Sequence, residues 1–234
     1  MKNIVSLIKR PIRKLILNVV ENERGGLFFY GNEPRSVEAF KLIKQIKGET
    51  EMLLSDLEAH QIYITVKKTG KIEGDIAEVG VYKGGSAKLI CEAIKGAKDV
   101  HLFDTFEGLP KLSSKDNLFD FYEKKFAAPY DEVRNYLSRY KNVYFYKGTF
   151  PTSAIPVNDK RFSFIHLDVD LYESTMDCLK FFYPRLNKGG VIISHDYIGT
   201  NGVGRAFDEF FADKPEVIFE PLIDSSQAFV VKLN

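Results

Sequence analysis

No charge of either sign predominates in this chain: 33 lysines and arginines face 32 aspartates and glutamates, a formal net charge of +1 over 234 residues. Without a global field there is no electrostatic footprint for nucleic acid. Apolar runs of the roughly 18 residues that span a bilayer are missing, and the N-terminus lacks an apolar stretch followed by a small-residue cleavage site. Cysteine is scarce. Cys91 and Cys178 lie far apart in segments of helical periodicity, with no CxxC or Cys/His spacing, so neither a disulfide framework nor a zinc site is encoded. They read as buried thiols in a reducing compartment. Internal repeats and low-complexity tracts are absent. What remains is a cytoplasmic globular chain whose 44% apolar content supplies one core.

The first twenty residues carry Lys2, Lys9, Arg10, Arg13 and Lys14 and no acid before Glu21, with Ile4, Ile8, Ile12, Leu15 and Val19 at helical spacing. This basic amphipathic segment, broken at Pro11, is a candidate for peripheral membrane contact or for packing on its own domain or subunit. Residues 24–34 are turn-rich and read as a linker. Two helices follow, one after Ser36 with Val37, Phe40, Ile43 and Ile46 on a face, the other after Thr50 with Leu53, Leu54, Leu57 and Ile64. Gly48 and Gly70 end them. An apolar arm with a helical cap makes a homo-oligomer the expectation.

From Asp75 onward, short β-branched runs alternate with helical periods. Strands are predicted near 75–79, 99–104, 142–147, 162–168, 190–195, 216–220 and 227–233, and helices near 86–96, 131–140, 173–186 and 202–213. Alternation with largely apolar strands predicts an α/β, Rossmann-like doubly wound sheet of seven strands, mostly parallel. The last two strands, joined by a short turn around Asp224, must pair antiparallel. Residues 1–70 form the arm and helical cap, and 71–234 the sheet domain.

The first strand leads into Glu78-Val79-Gly80-Val81-Tyr82-Lys83-Gly84-Gly85-Ser86 and directly into a helix. The GxGxxG spacing that brings a pyrophosphate to a helix N-terminus is not there, which argues against a nicotinamide oxidoreductase. An acid two residues before the first glycine suits a cationic group such as an amino acid ammonium, leaving loop amides for its carboxylate. That combination points to S-adenosylmethionine, against a plain tight turn as the competing reading. Asp104 ends the second strand 24 residues beyond Gly80, where an acid takes ribose hydroxyls in adenosine-binding folds; a strand-end cap is its alternative. His101 reads as a core or edge histidine.

Strand ends converge at the switch point of a doubly wound sheet, which brings Asp168, His195 and Asp196 together as a candidate divalent cation site able to lower the pKa of an alcohol oxygen. The alternative is that they cap strand ends. Asp170 and Ser174 compete to cap the following helix. His166 shares the strand face of Asp168, a candidate for a secondary role.

The residues from about Gly74 to Val231 resemble the macrocin O-methyltransferase family (TylF/MycF type) of class I S-adenosylmethionine-dependent methyltransferases. The likeness rests on the Glu78–Ser86 block, on Asp104-Thr105-Phe106-Glu107-Gly108-Leu109-Pro110, on Leu167-Asp168-Val169-Asp170-Leu171-Tyr172-Glu173-Ser174-Thr175-Met176, and on His195-Asp196-Tyr197. The resemblance implies that Glu78, Gly80 and Ser86 contact the methionine part of the cofactor. It places Asp104, with Thr105 beside it, at the ribose, Gly148 and Thr149 near adenine, and Asp168 between cofactor and metal. It also implies methylation of a sugar hydroxyl, the acceptor being a small molecule or saccharide, with magnesium held by Asp168 and two adjacent acids. Here His195 stands in place of the first paired acid. Imidazole suits manganese, zinc or iron better than magnesium, so the ion's identity is open, and His195 is either a ligand or the general base. Acceptor choice falls to the cap, to segment 111–130 with Phe119, Phe121, Tyr122 and Tyr130, and to loop 197–204, where the aromatics stack on a sugar or belong to the core. A catechol-like phenol as acceptor, and a non-catalytic binding module working through the basic arm, are the competing functions.

Overall fold

The structure, a computed structural model, describes residues 19–21, 27–29, 34–116, 121–221 and 225–234, with side chains from residue 36 onward. Most of the basic segment (1–18), Phe119 and Asp224 lie outside the described residues. Two short strands, β1 (Val19–Glu21) and β2 (Leu27–Phe29), pair antiparallel where a helical stripe and a linker were expected. Their β-branched and aromatic residues favour a ladder over either.

The cap consists of α1 (Pro34–Glu49) and α2 (Asp56–Thr69). Helix α1 runs one residue past Gly48 and buries Ala39, Phe40, Ile43 and Ile46, while Val37 is exposed. Helix α2 starts later than the sequence pattern suggests because Ser55 caps it: the Ser55 hydroxyl accepts from the Glu58 amide, and the Glu58 carboxylate accepts from the Ser55 amide. Leu53 and Leu54 therefore belong to the connection, and the buried face of α2 is Ala59, Ile62, Tyr63 and Val66. Gly70 ends the helix as expected.

The main sheet contains β3 (Asp75–Val79), β4 (Val100–Asp104), β5 (Val143–Lys147), β6 (Phe162–Leu167), β7 (Leu186–Ser194) and β8 (Ala228–Val231), in the order β5-β4-β3-β6-β7-β8. The first five are parallel and β8 is antiparallel to β7. All six residues of β6 are buried, as a central strand covered on both faces requires. On one face Ile76, Leu102, Phe164 and Ile193 pack against α1, α2 and α3 (Gly85–Ile94), with Val133 of α4 (Tyr130–Tyr136) alongside. On the other, Ala77, Phe103, Ile165 and Ile192 meet α5 (Tyr172–Phe182) and α6 (Asn201–Phe211). The cap helices thus share one core with the sheet. Cys91 and Cys178 are buried free thiols in α3 and α5.

Among the described residues the sheet has six strands, one fewer than expected. The run 216–220 pairs with β8 only at Phe219 and Phe229, whose amides and carbonyls exchange bonds at 2.9 Å. Pro215 and Pro221 flank that run and have no N–H to extend the ladder. No described helix is long and apolar enough to cross a membrane.

Candidate active site

Strand order reverses at β3, whose neighbours are β4 and β6, and a crevice opens at the carboxyl ends of the strands there. It is a cavity of about 300 Å³ walled by Gly80–Tyr82 after β3, Asp104 and Thr105 after β4, Gly148–Phe150 after β5, Asp168–Asp170 after β6, and His195 and Asp196 after β7. The cap connection Glu51–Leu54 and residues Phe121, Lys125 and Phe126 close its sides. Every residue assigned from the sequence to the cofactor or the metal lines this cavity except Glu78.

Glu78 is sealed beneath the wall, fully buried on the face of β3 that α3 covers. His166, its partner in the β3–β6 register, offers Nδ1 at 2.8 Å from Glu78 Oε1. Burial pushes the Glu78 carboxyl above the usual range, against the opposing pull of His166. Glu78 Oε2 has no aligned hydrogen-bond partner, although the Ser86 hydroxyl also pulls the carboxyl pKa down, so a lone pair remains for an ammonium donor.

Asp104 holds the glycine loop. Its Oδ2 accepts from the amides of Val81 at 2.7 Å and Tyr82 at 2.9 Å, and its Oδ1 from the Phe106 amide at 2.7 Å. Burial raises its pKa despite these three donors. The capping alternative is therefore realised, and a lone-pair site remains for a ribose hydroxyl. Two amides expected to meet a ligand carboxylate are spent on Asp104. A ligand carboxylate would instead meet the start of α3 at Gly85 and Ser86, both on the cavity wall. Thr105 turns its hydroxyl to the Gly108 carbonyl at 2.8 Å.

Asp168, His195 and Asp196 converge as expected. His195 Nδ1 lies 3.3 Å from Asp168 Oδ1 and 2.9 Å from Asp196 Oδ2, and one donor atom from each residue falls within 4.8 Å of the others. Donor atoms this close together could share one small divalent cation, which Asp168, His195 and Asp196 would hold. Nδ1 is also a buried nitrogen with no aligned hydrogen-bond acceptor. Two carboxylates and an imidazole form a donor set for manganese, iron or zinc more than for magnesium. Burial disfavours charge on His195, but Asp168, Asp196 and Glu58 outweigh it and hold its pKa well above the ordinary value. Asp168, which burial alone would raise, is held below the carboxylate range by His195.

Two residues of the site were not legible in the sequence. Glu58 reaches in from α2 to 3.5 Å from His195 Nε2. Asp170 lines the cavity, where burial and then the charges of Asp168 and Asp196 push its carboxyl well up. Asp170 and Asp196 both hold φ near +60°, at 61° and 59°, a conformation acids tolerate and one that collects at functional sites. Neither Asp170 nor Ser174 caps α5; the Tyr172 amide donates to Asp116 Oδ1 at 2.7 Å, a cap from a distant loop. Of the aromatics in segment 111–130, Phe121 lines the cavity, Tyr122 is exposed and Tyr130 packs on Phe106.

A second trio, Asp75, Asp99 and His101, also brings potential ligands together. There both histidine nitrogens are engaged, Nδ1 with Tyr146 at 2.9 Å and Nε2 with Asp75 at 3.1 Å, and Lys160 pairs with Asp75. His101 is the satisfied core histidine its position suggested.

Residues 54–230 match the family described as Macrocin-O-methyltransferase (TylF). The chain is 34% identical over 140 residues to the 8-demethyl-8-(2,3-dimethoxy-alpha-L-rhamnosyl)-tetracenomycin-C 4'-O-methyltransferase of Streptomyces olivaceus, covering 54% of each chain. It is 32% identical over 143 residues to the mycinamicin III 3''-O-methyltransferase of Micromonospora griseorubida, covering 54% of this chain and 56% of that one. The aligned region thus spans about half the length of these relatives. Among solved structures, the O-methyltransferase NovP superposes with a TM-score of 0.72 at 22% identity, over 86% of this chain and all of that one. That fold agrees with the sheet described above.

Proposed function

The chain belongs to the macrocin O-methyltransferase family, and from that membership we propose that it transfers the methyl group of S-adenosylmethionine to a sugar hydroxyl, assisted by a divalent cation at Asp168, His195 and Asp196. The acceptor class is a sugar of a glycosylated natural product, a nucleotide sugar or a polysaccharide. One observation carries the reading: the three donors stand at the switch point, on the wall of the cavity that Gly80, Asp104 and Gly148 also line.

S-adenosylmethionine supplies a methyl group on a positively charged sulfur, and a divalent cation supplies charge that lowers the pKa of an acceptor hydroxyl. The remaining work falls to the chain. Asp104 offers its remaining lone pair to a ribose hydroxyl and Thr149 borders the adenine side, while Glu78, buried behind the wall, would meet an ammonium only where the ligand reaches past that wall. Asp168, kept ionised, accepts the proton of the acceptor hydroxyl at a carboxylate oxygen. The acids around His195 that raise its pKa would equally favour a cation at Nδ1, and with that lone pair on the ion His195 would serve as a ligand rather than as the base. Asp170, its carboxyl pushed well up by burial and by Asp168 and Asp196, stands on the cavity wall, where a protonated carboxyl would donate a hydrogen bond to an acceptor oxygen. Met52, Leu54, Phe121 and Phe126 shed water from the cavity, and catalysis comes from holding the oxygen within about 3 to 3.5 Å of the methyl carbon.

Calorimetric titration of S-adenosylhomocysteine into the wild type and Asp104→Ala, each with and without manganese or magnesium, tests the reading. Binding that weakens in the variant and responds to metal supports it; a folded wild type that binds nothing removes it in favour of a binding module. Assays on sugar and phenol panels then decide the acceptor, and turnover on phenols alone would replace the sugar assignment. Self-association is part of the same reading, and a clean monomer by light scattering would remove that part.

A further inference from the structure

His195 occupies a ligand position with a side chain that has two chemically distinct nitrogens, so its usefulness depends on which one carries the proton. A neutral imidazole has one N–H and one lone pair, and only the lone pair can meet a cation. Nδ1 faces the carboxylates of Asp168 and Asp196, at 3.3 and 2.9 Å. Nε2 faces away from them, toward Glu58 Oε2 at 3.5 Å. Glu58 itself has little freedom: Oε2 accepts from the Ser55 amide at 2.9 Å, and Oε1 accepts from the Ser226 amide at 2.8 Å and the Ser226 hydroxyl at 3.0 Å. It is 6% exposed, clamped between the start of α2 and the segment before β8.

We propose that Glu58 is the positioning residue of the metal site, holding Nε2 of His195 as the N–H form so that Nδ1 presents its lone pair beside Asp168 and Asp196. The proposal rests on the metal-assisted reading above. Ligating histidines commonly donate their second N–H to a carboxylate, which fixes the ring and raises its basicity. Here the arrangement has a further consequence. A histidine in place of an acid removes one negative charge from the ligands, and Glu58 returns one directly behind the ring. The helical cap is thereby a working part of the site as well as its cover.

The test is binding of Mn2+ alone to the full chain, followed by loss of the free-ion EPR signal, in the wild type, Glu58→Ala, Glu58→Gln and Ser55→Ala. Glu58→Ala should bind about 10- to 100-fold more weakly, the usual cost of losing such a partner. Glu58→Gln keeps the side-chain size and one acceptor oxygen but turns an NH2 toward donors that need an acceptor, so about a three- to tenfold loss is expected. It carries the test if the alanine variant does not fold. Ser55→Ala uncaps the same helix while leaving the His195 contact, and should stay within about threefold of wild type. As a second readout, the imidazole 15N shifts of His195 in the zinc-loaded protein should report Nε2–H in the wild type and lose that signature in Glu58→Ala. Unchanged Mn2+ affinity and tautomer in both Glu58 variants, or an equal loss in Ser55→Ala, would overturn the proposal. A wild type that binds no Mn2+ overturns the metal reading itself, an outcome distinct from either.

Discussion

A Cβ added to Gly80 would lie 1.8 Å from the carbonyl oxygen of Asp168, and Gly80 holds φ at +88°. The first glycine of the loop is therefore required by the neighbouring strand as well as by any ligand. Its amide donates to the Phe103 carbonyl, and the Asp168 amide donates to the Val79 carbonyl, so the β3 and β6 ends run into the cavity wall in contact. Gly80→Ala meets backbone that cannot swing aside. A loss of at least about 3 kcal/mol is expected by denaturant unfolding, with S-adenosylhomocysteine binding lost as well. Near-wild-type stability would mean that the strand ends separate more easily than their ladder implies.

Asp168→Ala removes the proposed metal ligand and proton acceptor without touching the backbone that meets Gly80. Methyl transfer to a sugar acceptor should fall by about 10²- to 10⁴-fold, the scale of a lost acid–base group. The fold should survive, and affinity for S-adenosylhomocysteine should change by less than about tenfold, since one wall residue of many is lost. Full turnover in the variant would break the assignment of both roles.

The cap is tied to the sheet domain by a charge pair that makes it acid-sensitive. Lys88 on α3 is almost buried and pairs with Glu49 at the end of α1, to which the Tyr136 hydroxyl also donates at 2.9 Å. Hydrogen bonds from Lys88 and then Gln45 bring the Glu49 pKa from the usual 4.5 to about 2. A folded value below the unfolded one means that the stabilisation is complete above about pH 5 and is lost as pH falls through the folded value. Glu49→Gln should cost about 1 to 2 kcal/mol at pH 7, a figure reduced because Glu49 is partly exposed. Urea unfolding at a series of pH values should show the gap to wild type closing between pH 5 and 2; a constant gap would assign the loss to packing.

The central sheet was legible because its strands are short apolar runs between glycines, and strand ends at a switch point place Asp168, His195 and Asp196 without any knowledge of side-chain contacts. The seventh strand was overread, since β-branched residues at 216–220 carry the signal while flanking prolines withhold the donors. Glu58 was hidden by its own local signature. Ser55 and Glu58 form a capping box that accounts for the carboxylate within four residues, whereas its second oxygen serves Ser226, 168 residues away. Asp170 was misplaced for the converse reason: an acid just before a helix reads as a cap, but the cap comes from Asp116 and frees Asp170 for the cavity.

Glu78 and His166 supply the most demanding case, because both are fully buried and meet only through a side-by-side position on adjacent strands. Neither can reach water if its partner is removed. His166→Leu should thus cost about 3 to 5 kcal/mol by leaving a carboxylate uncompensated, and Glu78→Leu a comparable amount. The double variant leaves no unpaired charge and should be less damaged than the sum, with a coupling above about 1.5 kcal/mol by denaturant unfolding. Cofactor affinity should follow a different pattern. If Glu78 faces the cofactor ammonium, S-adenosylhomocysteine binding falls at least about tenfold in Glu78→Leu and in the double variant alike. Restored stability with restored binding would instead make the pair purely structural. Restored stability without binding separates the two duties of Glu78: His166 keeps its charge tolerable inside the protein, and the ligand makes use of it.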